Sequence, residues 1–84
     1  MTEEQLIAVY PNPTTGVFIV ELSSVISGVN ILITDVQGRT IATRALGKNE
    51  APVATFDLSS LAKGMYLIQV TDGDARYRQK IIVQ

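Results

Sequence analysis

Short runs of strand-forming residues, each cut off by turn residues after roughly 8–12 positions, run the length of this chain and decide what it can fold into. Val17–Leu22 puts Phe18, Val20 and Leu22 on one face, and Val29–Val36 does the same with Val29, Ile31 and Ile33. Met65–Thr71 repeats the pattern with Tyr66, Ile68 and Val70. Strict alternation buries one side of a pleated strand, whereas a helix would scatter these side chains around its axis. No helical period persists beyond a single turn. Further strand-like runs are Leu6–Tyr10, Thr40–Leu46, Pro52–Leu58 and Ala75–Val83. About seven strands with this punctuation predict an all-β, immunoglobulin-like sandwich with Greek-key-like connections. A small barrel is the alternative, and periodicity alone does not separate the two.

The connections carry their own signals. Pro11 and Pro13 flank Asn12 and cannot donate to a β-ladder, so Pro11–Gly16 reads as a turn or a strand crossing between sheets. Asp35-Val36-Gln37-Gly38-Arg39 reads as a hairpin with Gly38 at positive φ, and Asp72-Gly73-Asp74 as a second tight hairpin. Ser23–Gly28 is a polar connection and Gly47–Ala51 a loop. In Leu58-Ser59-Ser60-Leu61-Ala62-Lys63-Gly64-Met65-Tyr66 a compact turn is expected to drop Leu58 and Leu61 into the core. Gly64 supplies the left-handed residue, and the run resembles the tyrosine corner in which a Tyr hydroxyl bonds back to the preceding crossover.

With 84 residues there is room for one domain, and 46% hydrophobic against 18% charged residues is a folding composition. Cysteine and histidine are both absent. That leaves no disulfide or thiolate metal site and removes the usual general base and commonest metal ligand. A nucleophilic Ser or Thr would have only Lys or a carboxylate to activate it. The isolated glycines form no phosphate loop. Asp72 and Asp74 offer too few oxygens for calcium, so their reading is a solvated turn. No catalytic residue, metal or cofactor is therefore expected.

Net charge is −1, which argues against nucleic-acid binding, and no apolar run is long enough to insert into a membrane. The charge is unevenly spread. Residues 1–38 carry four acids and no base, whereas residues 39–84 carry seven bases and four acids. Arg76, Arg78 and Lys80 alternate on one face of the last strand, where cations discourage edge-to-edge pairing or face an acidic partner. Ile81-Ile82-Val83-Gln84 follows, a β-branched run that could add to a partner's sheet through an open strand end. Met1–Gln5 lacks the basic and apolar regions of a signal peptide and reads as a linker before a domain over residues 6–84. An export signal, if there is one, is expected on a larger parent chain.

Four motifs occur in order: Val9-Tyr10-Pro11-Asn12-Pro13 with Gly16, Asp35…Gly38-Arg39, Leu58…Leu61…Gly64…Tyr66, and Lys80-Ile81-Ile82-Val83. Together they resemble the type A C-terminal sorting domain of type IX secretion cargo in Bacteroidetes-type bacteria. The resemblance implies a non-catalytic signal that directs a larger cargo protein across the outer membrane. It implies recognition by an outer-membrane β-barrel shuttle protein and a sortase-like peptidase, which often cleaves the domain off. It also implies passage through the periplasm to the cell surface or the medium. By the same resemblance the closing Lys80–Gln84 segment is needed for secretion. The expected receptor contacts are Arg78, Lys80, Ile81, Ile82, Val83 and Gln84, while Pro11, Asn12, Pro13, Gly16, Gly38, Leu58, Leu61, Gly64 and Tyr66 are structural. A fibronectin-III-like spacer or a carbohydrate-binding module of an extracellular enzyme is the competing reading. The lack of Trp weakens its carbohydrate form. An enzyme is the least supported.

Overall fold

Alternation becomes two layers. A computed structural model describes residues 6–23, 28–48 and 50–84, so the expected linker over residues 1–5 and most of the Ser23–Gly28 connection lie outside the described residues. Seven strands are present: β1 (Ile7–Tyr10), β2 (Val17–Leu22), β3 (Val29–Asp35), β4 (Thr40–Leu46), β5 (Val53–Asp57), β6 (Gly64–Asp72) and β7 (Ala75–Val83). They form two antiparallel sheets, ordered β1-β2-β5 and β4-β3-β6-β7. No ladder between named strands joins the sheets, so the fold is a sandwich and not a barrel.

The alternating residues meet between the layers. Phe18, Val20 and Leu22 of β2 face Ile31 and Ile33 of β3, with Tyr66, Ile68 and Val70 of β6 completing the second wall. Phe18 is wholly buried, and its ring stacks on Phe56 of β5 at a centroid distance of 5.6 Å. Most strands thereby lose one face to the core, the edge strand β4 contributing mainly Leu46, and this burial is the main favourable term for a domain without a disulfide.

Turn chemistry sets the register. Asp35 closes the β3–β4 hairpin: its carbonyl accepts from Gly38 N at 3.0 Å, and its N–H donates to the Arg39 carbonyl at 3.1 Å. Gly38 has φ +87°, which an L side chain rarely adopts. In the β6–β7 hairpin Asp72 pairs with Ala75, so the loop is Gly73-Asp74, not the Asp-Gly pair that favours a hairpin turn in sequence. Gly73 at φ +62° occupies the first loop position, as type II′ geometry requires.

The tyrosine corner forms, with the Tyr66 hydroxyl donating to the Ala62 carbonyl. Leu58 is buried as expected, but Leu61 is 40% exposed and does not enter the core. Leu61 N donates to Leu58 O, making a four-residue turn that swings Leu61 outward onto the rim beside Val36 and Met65. A β-turn reverses the chain between its first and fourth residues, so the two leucines do not point the same way.

Removing the Phe18 ring tests the core. Phe18→Ala should cost about 3–5 kcal/mol, much of the roughly 5–10 kcal/mol a domain of this size holds. Val17→Ala, on the exposed face of the same strand, should cost under about 1 kcal/mol. Urea midpoints of the two variants measure the difference.

Candidate recognition site

β7 lies at the edge of its sheet, paired with β6 on one side only. Along a strand the N–H and C=O of successive residues point alternately to the two sides. Here the odd residues face β6, while Arg76, Arg78, Lys80, Ile82 and Gln84 present their backbone groups to the outer edge. The edge falls into two halves.

Its final part is covered. After β1 the chain crosses to the other sheet through Pro11–Thr14, with cis peptide bonds before both prolines. Thr14 N donates to Ile82 O at 2.9 Å, and Gln84 N donates to Thr14 O at 2.8 Å. The Asn12 side chain extends the pairing, its Nδ2 donating to Lys80 O at 3.1 Å and its Oδ1 accepting from Ile82 N at 3.2 Å. An amide side chain thus stands in for a neighbouring strand. The open strand end expected over Ile81–Gln84 is therefore closed, because the Pro-Asn-Pro crossover lies along it. The crossover is itself braced. Buried Thr14 donates its hydroxyl to Val17 O at 2.6 Å and accepts from Gly16 N at 3.1 Å. Any Cβ at Gly16 would sit 2.6 Å from the Ser59 Cα, so the position requires glycine.

The earlier part of the edge, from Arg76 to the Lys80 N–H, has no neighbouring strand among the described residues. Arg76, Arg78 and Lys80 project together onto the outer face of the sheet. Through the register that face continues into Thr71, Gln69 and Leu67 of β6 and Leu32 and Thr34 of β3. Among the described strands no carboxylate points from it. Met65 and Leu67, both 40% exposed, give it an apolar centre beside Ile82.

The expected receptor residues divide by the pleat. Arg78, Lys80 and Gln84 are exposed and Ile82 is half-buried on the outer face. Ile81 is 0% and Val83 3% exposed, because both point between the sheets. Two of the six residues are therefore core side chains that present nothing to a partner while the strand is folded.

Asp35 organises the same end of the sandwich. Its Oδ1 accepts from Gln37 N and Arg39 N at 2.9 and 3.0 Å, and its Oδ2 accepts from Arg39 Nε at 2.7 Å. The Arg39 backbone N–H, aided by the guanidinium and Gln37 N–H, holds the Asp35 carboxyl below its ordinary value. Ser59 does the same for Asp57, through its hydroxyl first and then its N–H. On the other sheet the Tyr10 hydroxyl donates to Glu21 at 2.7 Å, and Tyr10 is raised by that bond. An open cleft of about 370 Å³ lies between the β3–β4 hairpin and the Leu61–Gly64 loop, lined by Val36, Ile41, Leu61 and Met65. Among the described residues no cluster of carboxylates could hold a metal.

The sequence motifs thus converge in space: the crossover, the Leu58–Tyr66 corner and the final strand form one end of the molecule. A family model described as a secretion system C-terminal sorting domain matches residues 8–84, nearly the whole chain. The chain belongs to this family. No curated protein matches it. The sorting domain is a signal for type IX secretion, which implies export to the cell surface or beyond, contact with the secretion machinery and a cargo-bearing parent chain. Within it, Thr14 does not stand out in the sequence as a clamp residue, because Thr14-Thr15 after Pro-Asn-Pro looks like ordinary turn chemistry.

Asp35 makes a pH test. Its folded value is lowered, so the unfolded chain binds the extra proton, and stability rises with pH across the carboxylate range. The contribution is complete above the unfolded value and is lost as pH falls through the folded one. Asp35→Asn should melt below the wild type near neutrality, and the gap should narrow in acid. Thermal midpoints at several pH values measure this.

Proposed function

We propose that an outer-membrane β-barrel shuttle protein reads this domain at the Arg76–Lys80 stretch of β7 and at the outer face carrying Arg78, Lys80, Ile82 and Gln84. Backbone pairing with the open edge supplies affinity and the alternating cations supply selection, as in other strand-addition modes. Ile81 and Val83 act indirectly, since their burial keeps the strand in register. The observation that carries the reading is a final strand fixed on both sides at its end and open just upstream, within a chain of the sorting-domain family.

The cargo joins before residue 6, in the linker over residues 1–5 or upstream of it, and the sorting domain spans residues 6–84. β1 runs toward the crossover, so its start lies at the opposite end of the sandwich from the end of β7. A cargo is thereby kept from the Ile82–Gln84 end of the last strand, while the Arg76 end of the open edge lies on the cargo side. A sortase-like peptidase of the machinery cuts upstream of the first strand after the cargo has passed from the periplasm to the surface. The domain has no catalytic step of its own.

The test is export of a fluorescent reporter fused behind a signal peptide and ahead of this domain, in a bacterium with an intact type IX system. Deleting Lys80–Gln84 should abolish export, but it also removes Ile81, Val83 and the partners of Asn12 and Thr14. The informative variant is therefore Arg78→Glu with Lys80→Glu, which leaves the core intact. It should retain the reporter in the periplasm while melting cooperatively, and Asp72→Asn should export normally. Replacing Pro11 and Pro13 by Ala should lower the melting temperature more than shuttle binding. Normal export of the double-glutamate variant would refute this reading of β7.

A further inference from the structure

The two outer faces of the sandwich carry opposite charge. On the sheet β1-β2-β5, Ala8, Tyr10, Val17, Ile19, Glu21, Val53, Thr55 and Asp57 point outward. Among the described residues its only charged members are the acids Glu21 and Asp57. Val17 is 49% exposed, with Val53 and Tyr10 also open, so the face has an apolar centre. The outer face of β4-β3-β6-β7 is its electrostatic complement, with Leu32, Met65, Leu67 and Ile82 at the centre and Arg76, Arg78 and Lys80 along one side.

Each face leaves several large apolar side chains in water, and each carries charge of one sign. A strand pair stacks on another sheet about 10 Å away when both surfaces are flat and apolar at the centre. Opposite charges at the margins would fix the order and the register. We infer that copies of this domain stack face to back, the acidic outer face of β1-β2-β5 in one copy lying on the basic outer face of β4-β3-β6-β7 in the next. Such a contact uses two different patches. It is heterologous, and it propagates into rows instead of closing as a two-fold dimer.

The size of the faces sets the strength. Three strands about 5 Å apart and five residues long make the smaller face roughly 15 by 17 Å. That is far short of the ~800 Å² per partner of a standard stable interface. Stacking is therefore weak in dilute solution and grows where copies are concentrated, as on a crowded surface.

Sedimentation equilibrium of the purified chain tests this from micromolar to millimolar concentration. Average mass should rise with concentration at low salt and fall back toward the monomer at 0.5 M salt. Glu21→Lys spoils one face and Arg78→Glu the other, so each variant alone should remain monomeric. Their equimolar mixture should associate, because the first variant keeps an intact basic face and the second an intact acidic face. If either variant fails to melt cooperatively, Thr55→Lys and Lys80→Glu replace it on the same faces. A wild type that stays monomeric at millimolar concentration overturns the inference. So does association that survives in each single variant, which would indicate pairing through strand edges, or a mixture that does not associate.

Discussion

A sheet edge must have its backbone donors and acceptors paired, covered or guarded, and the outer edge of β7 is where this requirement shapes the molecule. The strand meets it in two ways. From Arg76 to Lys80 alternating cations guard the edge, and from the Lys80 carbonyl to Gln84 N the crossover covers it. The change of device falls where Asn12 first reaches the strand. The crossover therefore connects the two sheets and also fixes the last strand from the side opposite β6.

That arrangement fixes the final strand from both sides. Ile81 and Val83 fill the core, Asn12 and Thr14 hold the same residues from outside, and the side chains between them face water on the outer sheet surface. The shape of such a strand depends on contacts within the domain. The start of the first strand lies at the opposite end of the sandwich from the end of the last. The acidic and basic outer faces add a directional asymmetry that the near-neutral net charge conceals.

Most of the layer structure was legible in the sequence. The alternation of Phe18, Val20 and Leu22, of Val29, Ile31 and Ile33, and of Tyr66, Ile68 and Val70 identified the core faces, since a pleat leaves no other choice. Gly38 and Tyr66 were readable from turn and corner chemistry. Three features were not. Leu61 looked like Leu58 because both are leucines, yet the turn between them reverses the chain. The pairing of Asn12 with Lys80 and Ile82 joins residues 68 and 70 positions apart, which no local pattern encodes. The β-branched run at Ile81–Val83 looked like exposed strand surface, although two of its three side chains face inward. For a terminal strand, alternation still decides which residues a partner can touch.

Amide hydrogen exchange along β7 in the isolated domain tests the central claim most directly. The account predicts slow exchange at Ile82 and Gln84, whose N–H groups are bonded to Asn12 and Thr14, and fast exchange at Arg76, Arg78 and Lys80. Rapid exchange at Ile82 and Gln84, or equal protection along the whole strand, would contradict a final strand clamped at its end and open upstream.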